Sequence, residues 1–175
     1  MDYVLLYFTL SLHLMNLNCY PCFANESHSA YEFISCGTKG TVKKVVEYAW
    51  TGYDNVYNLA FGDFDEFTND INDLIVTDNG DCLKVLSTVA WTVREFMFWH
   101  PEALVFATGS TDSRTRLYRI GVASNLAEIQ KEFVIFGSLN SRAWEEFVIG
   151  NDYVSFLVGR KENKEAIWNQ LQNLD

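Results

Sequence analysis

The sequence predicts an α+β domain: a largely antiparallel sheet with two main helices packed on one face, in the order ββββ-α-β-α-βββ. Three observations carry this. Closely spaced turn signals divide the first half into apolar stretches, as in an antiparallel meander. Two later stretches repeat apolar residues at three- and four-residue steps, the period of a helix with one buried face. The 175 residues, 49% of them hydrophobic, suffice for one sizeable core and are too few for two.

In chain order, the first strand is expected over 31–35, closed by the turn Gly37-Thr38-Lys39-Gly40, and the second over 42–50. After the turn at 51–55, a third strand covers 56–62. Val56, Asn58 and Ala60 fall on one face, Tyr57, Leu59 and Phe61 on the other. A fourth strand is expected over 71–76. Asp78-Asn79-Gly80-Asp81 then opens a helix over 82–99, with Asp81 as its cap and Val85, Leu86, Val89, Val93, Phe96 and Met97 facing inward. His100-Pro101 ends it. A short buried strand follows at 104–107, then a helix over 112–131 with Leu117, Ile120, Leu126 and Ile129 inward. Strands at 133–136, 147–148 and 153–158 return around a turn at Asn140-Ser141. A terminal helix over 162–174 turns Ile167, Leu171 and Leu174 to one side. The domain is thus expected over 31–161, with residues 1–30 a leader or over-long start with a loop, and 162–175 a helical tail.

The first 14 residues form an apolar run with Asp2 where a secretory signal carries basic residues. The run is also shorter than the roughly 20 apolar residues that span a bilayer. Met15 is the expected start, with export the alternative. Cys19-Tyr20-Pro21-Cys22 has C-x-x-C spacing, but Pro21 and the Asn-rich surroundings read as a loop carrying free thiols. His28, Cys36 and Cys82 do not complete a zinc knuckle.

The balance of 23 acidic and 13 basic residues, a formal charge of −10, disfavours broad binding to a phosphate backbone. It favours solubility and, for a protein partner, a basic one. Asp63, Asp65, Glu66, Asp70, Asp73, Asp78 and Asp81 form an acidic cluster that fails the EF-hand spacing at Phe67. Asp63, Asp65 and Glu66 read as hairpin residues facing water. Catalysis lacks a signature: His13, His28 and His100 are the only histidines, His100 reads as the end of a helix, and no G-x-S-x-G, H-E-x-x-H or Cys/His pairing appears. No cofactor, metal ligand or catalytic residue is assigned, and the enzyme question leans to no.

The candidate binding residues are Gly109, Ser110, Thr111, Arg114, Arg116, Tyr118 and Arg119. A strand breaks at Gly109, passes capping residues and enters a helix bearing three arginines. Free backbone N–H groups and the helix dipole at such a start suit an anion, a phosphate or carboxylate. Arg114 and Tyr118 share one helical face, Arg116 and Arg119 another. The other reading is an ordinary cap with the arginines stapled to acidic neighbours, and the staple is slightly favoured. P-loop spacing is absent.

Five segments carry a family resemblance: Tyr31-Glu32-Phe33-Ile34-Ser35, Lys43-Lys44-Val45-Val46-Glu47-Tyr48, Val56-Tyr57-Asn58-Leu59-Ala60-Phe61-Gly62-Asp63, the run from Gly109-Ser110-Thr111 to Tyr118, and Met15-Asn16-Leu17. Through them the chain resembles, over roughly residues 15–161, a family of uncharacterised bacterial single-domain proteins. The resemblance implies a cytoplasmic bacterial protein that starts at Met15, and it brings no activity and no catalytic residues. The resulting expectation is a non-enzymatic protein-binding module, antitoxin- or immunity-like, with a basic protein as partner. The alternative is an enzyme or sensor that binds a phosphorylated small molecule or nucleotide at Gly109-Ser110-Thr111.

Overall fold

In a computed structural model of the chain, the described residues are 18–68, 70–72, 77–139 and 143–172. They form a mixed α+β fold, with one large sheet and three α-helices. The strands are β1 (Cys22–Ala24), β2 (Ala30–Gly37), β3 (Gly40–Trp50), β4 (Val56–Asp65), β5 (Asp70–Asn72), β6 (Leu104–Thr108), β7 (Phe133–Ser138), β8 (Trp144–Glu146) and β9 (Ser155–Arg160). Helix α1 is Cys82–Trp99, α2 is Asp112–Glu132, and α3 is Lys164–Gln172 behind a 3-10 turn at Lys161–Asn163.

The sheet order is β1-β2-β3-β4-β6-β9-β7-β8, with β5 added to the far end of β4. Every pairing is antiparallel except β4 with β6. That one parallel contact follows from the connection: α1 lies between β5 and β6 and carries the chain back to the end where β4 began. Both edges of the order, β1 and β8, are three residues long. Edges this short offer little template for pairing with another chain.

Strand alternation sets the two faces. Tyr31 pairs with Val46 and Val46 with Phe61, while Val105 pairs with Val158 and Val158 with Ile135. Paired residues share a face. Tyr31, Val46 and Val105 join Val85, Trp91, Phe96 and Met97 of α1 in one core cluster. Ile135 and Phe156 form a second cluster with Tyr118, Val122, Leu126 and Ile129 of α2. The two long helices therefore cover one face, side by side. On the other face, Leu104, Val134, Phe136 and Leu157 pack with Ile167 and Leu171 of α3.

Several expectations change. A strand the sequence did not predict, β1, precedes the meander. Tyr20 and Cys22 are buried, and Cys22 pairs with Phe33. Pro21 is tolerated because this is an edge. The expected strand at 147–148 lies just before, as β8. Phe147 still donates its N–H to Ile135 O at 2.8 Å, but Gly150, at φ +101°, turns the chain directly after it. The last strand starts at Ser155 rather than Tyr153, whose ring covers Gly137; a Cβ there would lie 2.4 Å from Tyr153 Cδ1. Helix α2 turns Leu126 and Ile129 inward as expected but departs from its expected face in its first half. Leu117 and Ile120 are exposed, and Thr115, Tyr118 and Val122 face the sheet. A helix docks by the phase that buries most, and the aromatic Tyr118 with Val122, in phase with Leu126 and Ile129, takes the place of two aliphatics. The expected positions 73–76, 140–141 and 174 lie outside the described residues, as do Met15 and His13. No helix among the described residues is long and apolar enough to cross a membrane.

Candidate functional site

The start of α2 is a tight turn that requires glycine. A Cβ on Gly109 would sit 2.4 Å from Thr115 N and 2.9 Å from Thr111 O. Thr111, in extended backbone, is the N-cap: its hydroxyl accepts from Arg114 N–H at 3.3 Å. Thr115 Oγ1 donates back to Thr111 O at 3.2 Å. Ser110 and Thr111 are exposed.

The arginines diverge from this turn. Arg114 reaches under the helix, and its Nη1 donates to Phe61 O of β4 at 3.4 Å. Arg119 Nη1 donates to Tyr153 O at 3.3 Å and pairs with Asp152 Oδ1 at 3.0 Å. Arg116 is exposed and, with Arg119, lines a cleft of about 220 Å³ against Phe147, Gly150, Asn151 and Asp152. Tyr118 is half-buried in the α2 cluster. The fold therefore brings Gly109, Ser110, Thr111 and Arg114 together, gathers Arg116 and Arg119 in a second place, and turns Tyr118 into the core.

A polar network beneath the start of α1 went unread in the sequence. Asp81 stands at the N-cap position but makes no side-chain cap bond. Its Oδ2 instead accepts from Ser35 Oγ at 2.6 Å and Tyr20 OH at 2.8 Å. Tyr20 OH also accepts from Cys36 N–H at 3.1 Å, so this side chain closes part of the β2 edge. Asn79 donates through Nδ2 to Ser35 Oγ (3.1 Å) and Gly40 O (3.0 Å), and its Oδ1 accepts from Lys39 N–H at 2.8 Å. Lys84 Nζ lies 3.9 Å from the Tyr20 ring centroid. Burial works to raise the Asp81 pKa. The hydrogen bonds from Ser35 and Tyr20 and the charge of Lys44 outweigh it and hold the carboxyl below the ordinary range.

Beside this network lies a buried ion pair. Lys44 and Asp63 are cross-strand neighbours, 7% and 8% exposed, and Thr77 Oγ1 donates to the second Asp63 oxygen. The expectation that Asp63 faces water is thus corrected. A signal existed: Val42, Lys44, Val46 and Tyr48 alternate on one strand face, and Leu59, Phe61 and Asp63 on the next. Both charges fall in phase with apolar residues that face the helices. Ser35 is fully buried and both Asp63 oxygens are bonded, so the arrangement braces the sheet against α1.

The outer acids differ. Asp65 Oδ1 accepts from Phe67 N–H at 2.9 Å and Thr68 N–H at 3.4 Å, which fixes the β4–β5 turn. Phe67 stands fully exposed at that turn, flanked by exposed Glu66 and Asp70. An open cleft of about 390 Å³ runs below it, lined by Val42, Asp63, Phe64, Asp65, Glu66 and Asn72. Asp73 lies outside the described residues.

Burial raises the pKa of Cys19 and pushes that of Cys22 up to about 12, so both remain thiols rather than thiolate nucleophiles. Among the described residues, no three His, Cys, Asp or Glu side chains gather as a metal site.

Comparison with known families gives one result that covers most of the chain. The profile described as a family of unknown function, DUF6934, matches residues 16–161. The chain belongs to the DUF6934 family. The match takes in the whole sheet and the two long helices, together with β1 and Tyr20. Neither the curated proteins nor the solved structures include a match to this chain.

Proposed function

We propose that this DUF6934 chain is a non-enzymatic protein-binding module that engages a basic partner through its β4–β5 turn. The observation that carries the reading is Phe67: a large apolar ring, wholly exposed on a turn pinned by Asp65, between Glu66 and Asp70. An aromatic anchor inside a ring of one charge suits a partner with an apolar pocket and a basic rim. The chain charge of −10 would speed such an encounter. The short sheet edges favour side-chain contact over strand addition. This is the chemistry expected of an antitoxin- or immunity-like accessory protein.

The test is co-purification from the native host with the wild type, Phe67→Ala, and a charge variant combining Asp65→Asn, Glu66→Gln and Asp70→Asn. The expected result is a basic partner released by salt and lost with either variant. A strictly monomeric chain that retains no partner overturns the reading.

A second reading rests on Arg116 and Arg119 sharing one cleft, and on Ser110 and Thr111 standing exposed at the start of the same helix. It would make the protein a sensor or enzyme for a phosphorylated small molecule or nucleotide. It stands second because Arg114 and Arg119 already donate to backbone carbonyls. Thermal-shift screening against nucleotides and sugar phosphates separates the two. A rise abolished by Arg116→Ala or Arg114→Ala favours the second reading, and a flat response across the panel removes it.

A further inference from the structure

Residues 25–29, between β1 and β2, form a tightly bonded turn. Asn25 Oδ1 accepts from Ser29 N–H (2.9 Å) and Ala30 N–H (3.1 Å), His28 N–H donates to Asn25 O (3.1 Å), and the Ser27 and Ser29 hydroxyls lie 2.8 Å apart. His28 itself sits at φ 53°, a left-handed conformation that costs a residue with a Cβ and is held by its surroundings. The turn meets the C-terminal end of α1 at two points. The His28 ring stacks on Trp99 with centroids 4.1 Å apart and planes at 18°. His100 Nε2 lies 3.1 Å from Ser27 O.

The two contacts answer protonation differently. His100 holds Ser27 O by donating from Nε2–H, which the imidazolium retains. His28 Nδ1, by contrast, is shut off from solvent with no hydrogen-bond partner among the described residues. A proton placed there has nothing to donate to. The titratable groups around it are His100 on α1, Glu26 on its own turn, exposed, and Tyr57 of β4, which lies behind His100.

We propose that the 25–29 turn is an acid-released clasp on α1, opened by protonation of His28 and read out at Trp99. Burial, with the neighbouring His100 adding to it, lowers the His28 pKa from its ordinary value. The sign follows: a base whose folded pKa is depressed stabilises the closed form above about pH 6.5, and this contribution is lost as pH falls below that value. Opening exposes the inner face of the Trp99 ring, beside Phe98, which is already half-exposed.

The experiment is an NMR titration of the full chain between pH 5 and 7.5, following the histidine rings and the Trp99 indole N–H, assigned through Trp99→Phe. The expected His28 midpoint lies below about 6.5, and the Trp99 signal and the amides of Ser27 and Ser29 move with it. His28→Phe, which keeps a stacking ring, should flatten the Trp99 response. His100→Gln, which keeps a donor toward Ser27, should raise the His28 midpoint, and this test survives even where His28→Phe fails to fold. A His28 midpoint at or above the ordinary value overturns the clasp, as does a Trp99 signal that stays flat or moves only with global unfolding.

Discussion

The two long helices begin in opposite ways. At the start of α2, Thr111 does what a capping residue does locally: its hydroxyl takes an N–H of the first turn, and the chain bends at a glycine with no room for a Cβ. At the start of α1, Asp81 occupies the same position but turns to Ser35 and Tyr20 instead. The difference lies in what faces each start. Ser110 and Thr111 look toward solvent, so the nearest donor is the backbone. Asp81 looks onto the sheet, where its carboxylate is a charged acceptor for the buried Ser35 and Tyr20 hydroxyls. A capping residue serves its own helix only where no buried group makes a stronger demand.

The largest expected effect tests the buried side of this contrast. Lys44→Met strands the Asp63 carboxylate beneath α1 and should cost about 3–5 kcal/mol in urea unfolding. Lys44→Met with Asp63→Leu should recover most of that. If the single variant costs no more than Asp65→Asn on the exposed turn, about 0.5 kcal/mol or less, the contrast fails.

Asp81→Asn should follow, at about 1–3 kcal/mol, through two weakened hydrogen bonds. Its pH signature is distinct. Because the folded Asp81 pKa is depressed, its contribution is complete above the unfolded value near 4 and fades as pH falls toward the folded one. Acid unfolding of Asp81→Asn should lack that share of the slope.

Gly109→Ala sharpens the local side. Its Cβ meets the backbone of the first helical turn, so a loss of about 1–3 kcal/mol is expected by chemical denaturation, without the pH signature. Thr111→Ala should cost about 1 kcal/mol and Thr111→Ser little, as a hydroxyl remains to cap. The smallest effect belongs to Arg116→Ala, which should leave the melting temperature nearly unchanged because Arg116 stands at the surface.

Much of the fold was legible in the residues. Helix α1 spans the expected 82–99, because its apolar steps and its flanking Asp81 and His100-Pro101 are all local signals. The meander of β2, β3 and β4 was readable from its turns at Gly40 and Gly52, both at positive φ. The phase of α2 was less so. Leu117 and Ile120 scan as inward by type, yet Tyr118 with Thr115 and Val122 took that place. Of the candidate residues, the turn from Gly109 to Thr111 could be read from spacing alone. The separate destinations of Arg114 and Arg119 could not, since Phe61 and Tyr153 stand 53 and 34 residues away.

The sequence by itself determined where the helices and most strands lie, the acidic charge and the glycine-to-threonine start of α2. These depend on neighbours within a few positions. Only the tertiary structure decided that β1 pairs with β2 and Tyr20 packs in the core, that Asp81 bonds to the sheet, that Lys44 and Asp63 meet in the interior, and that His28 rests on Trp99. Each of those joins segments separated by many residues, and the partner of a polar side chain is set by which surfaces burial brings together. Periodicity can place Lys44 and Asp63 on an inward face, but strand register alone makes them a pair.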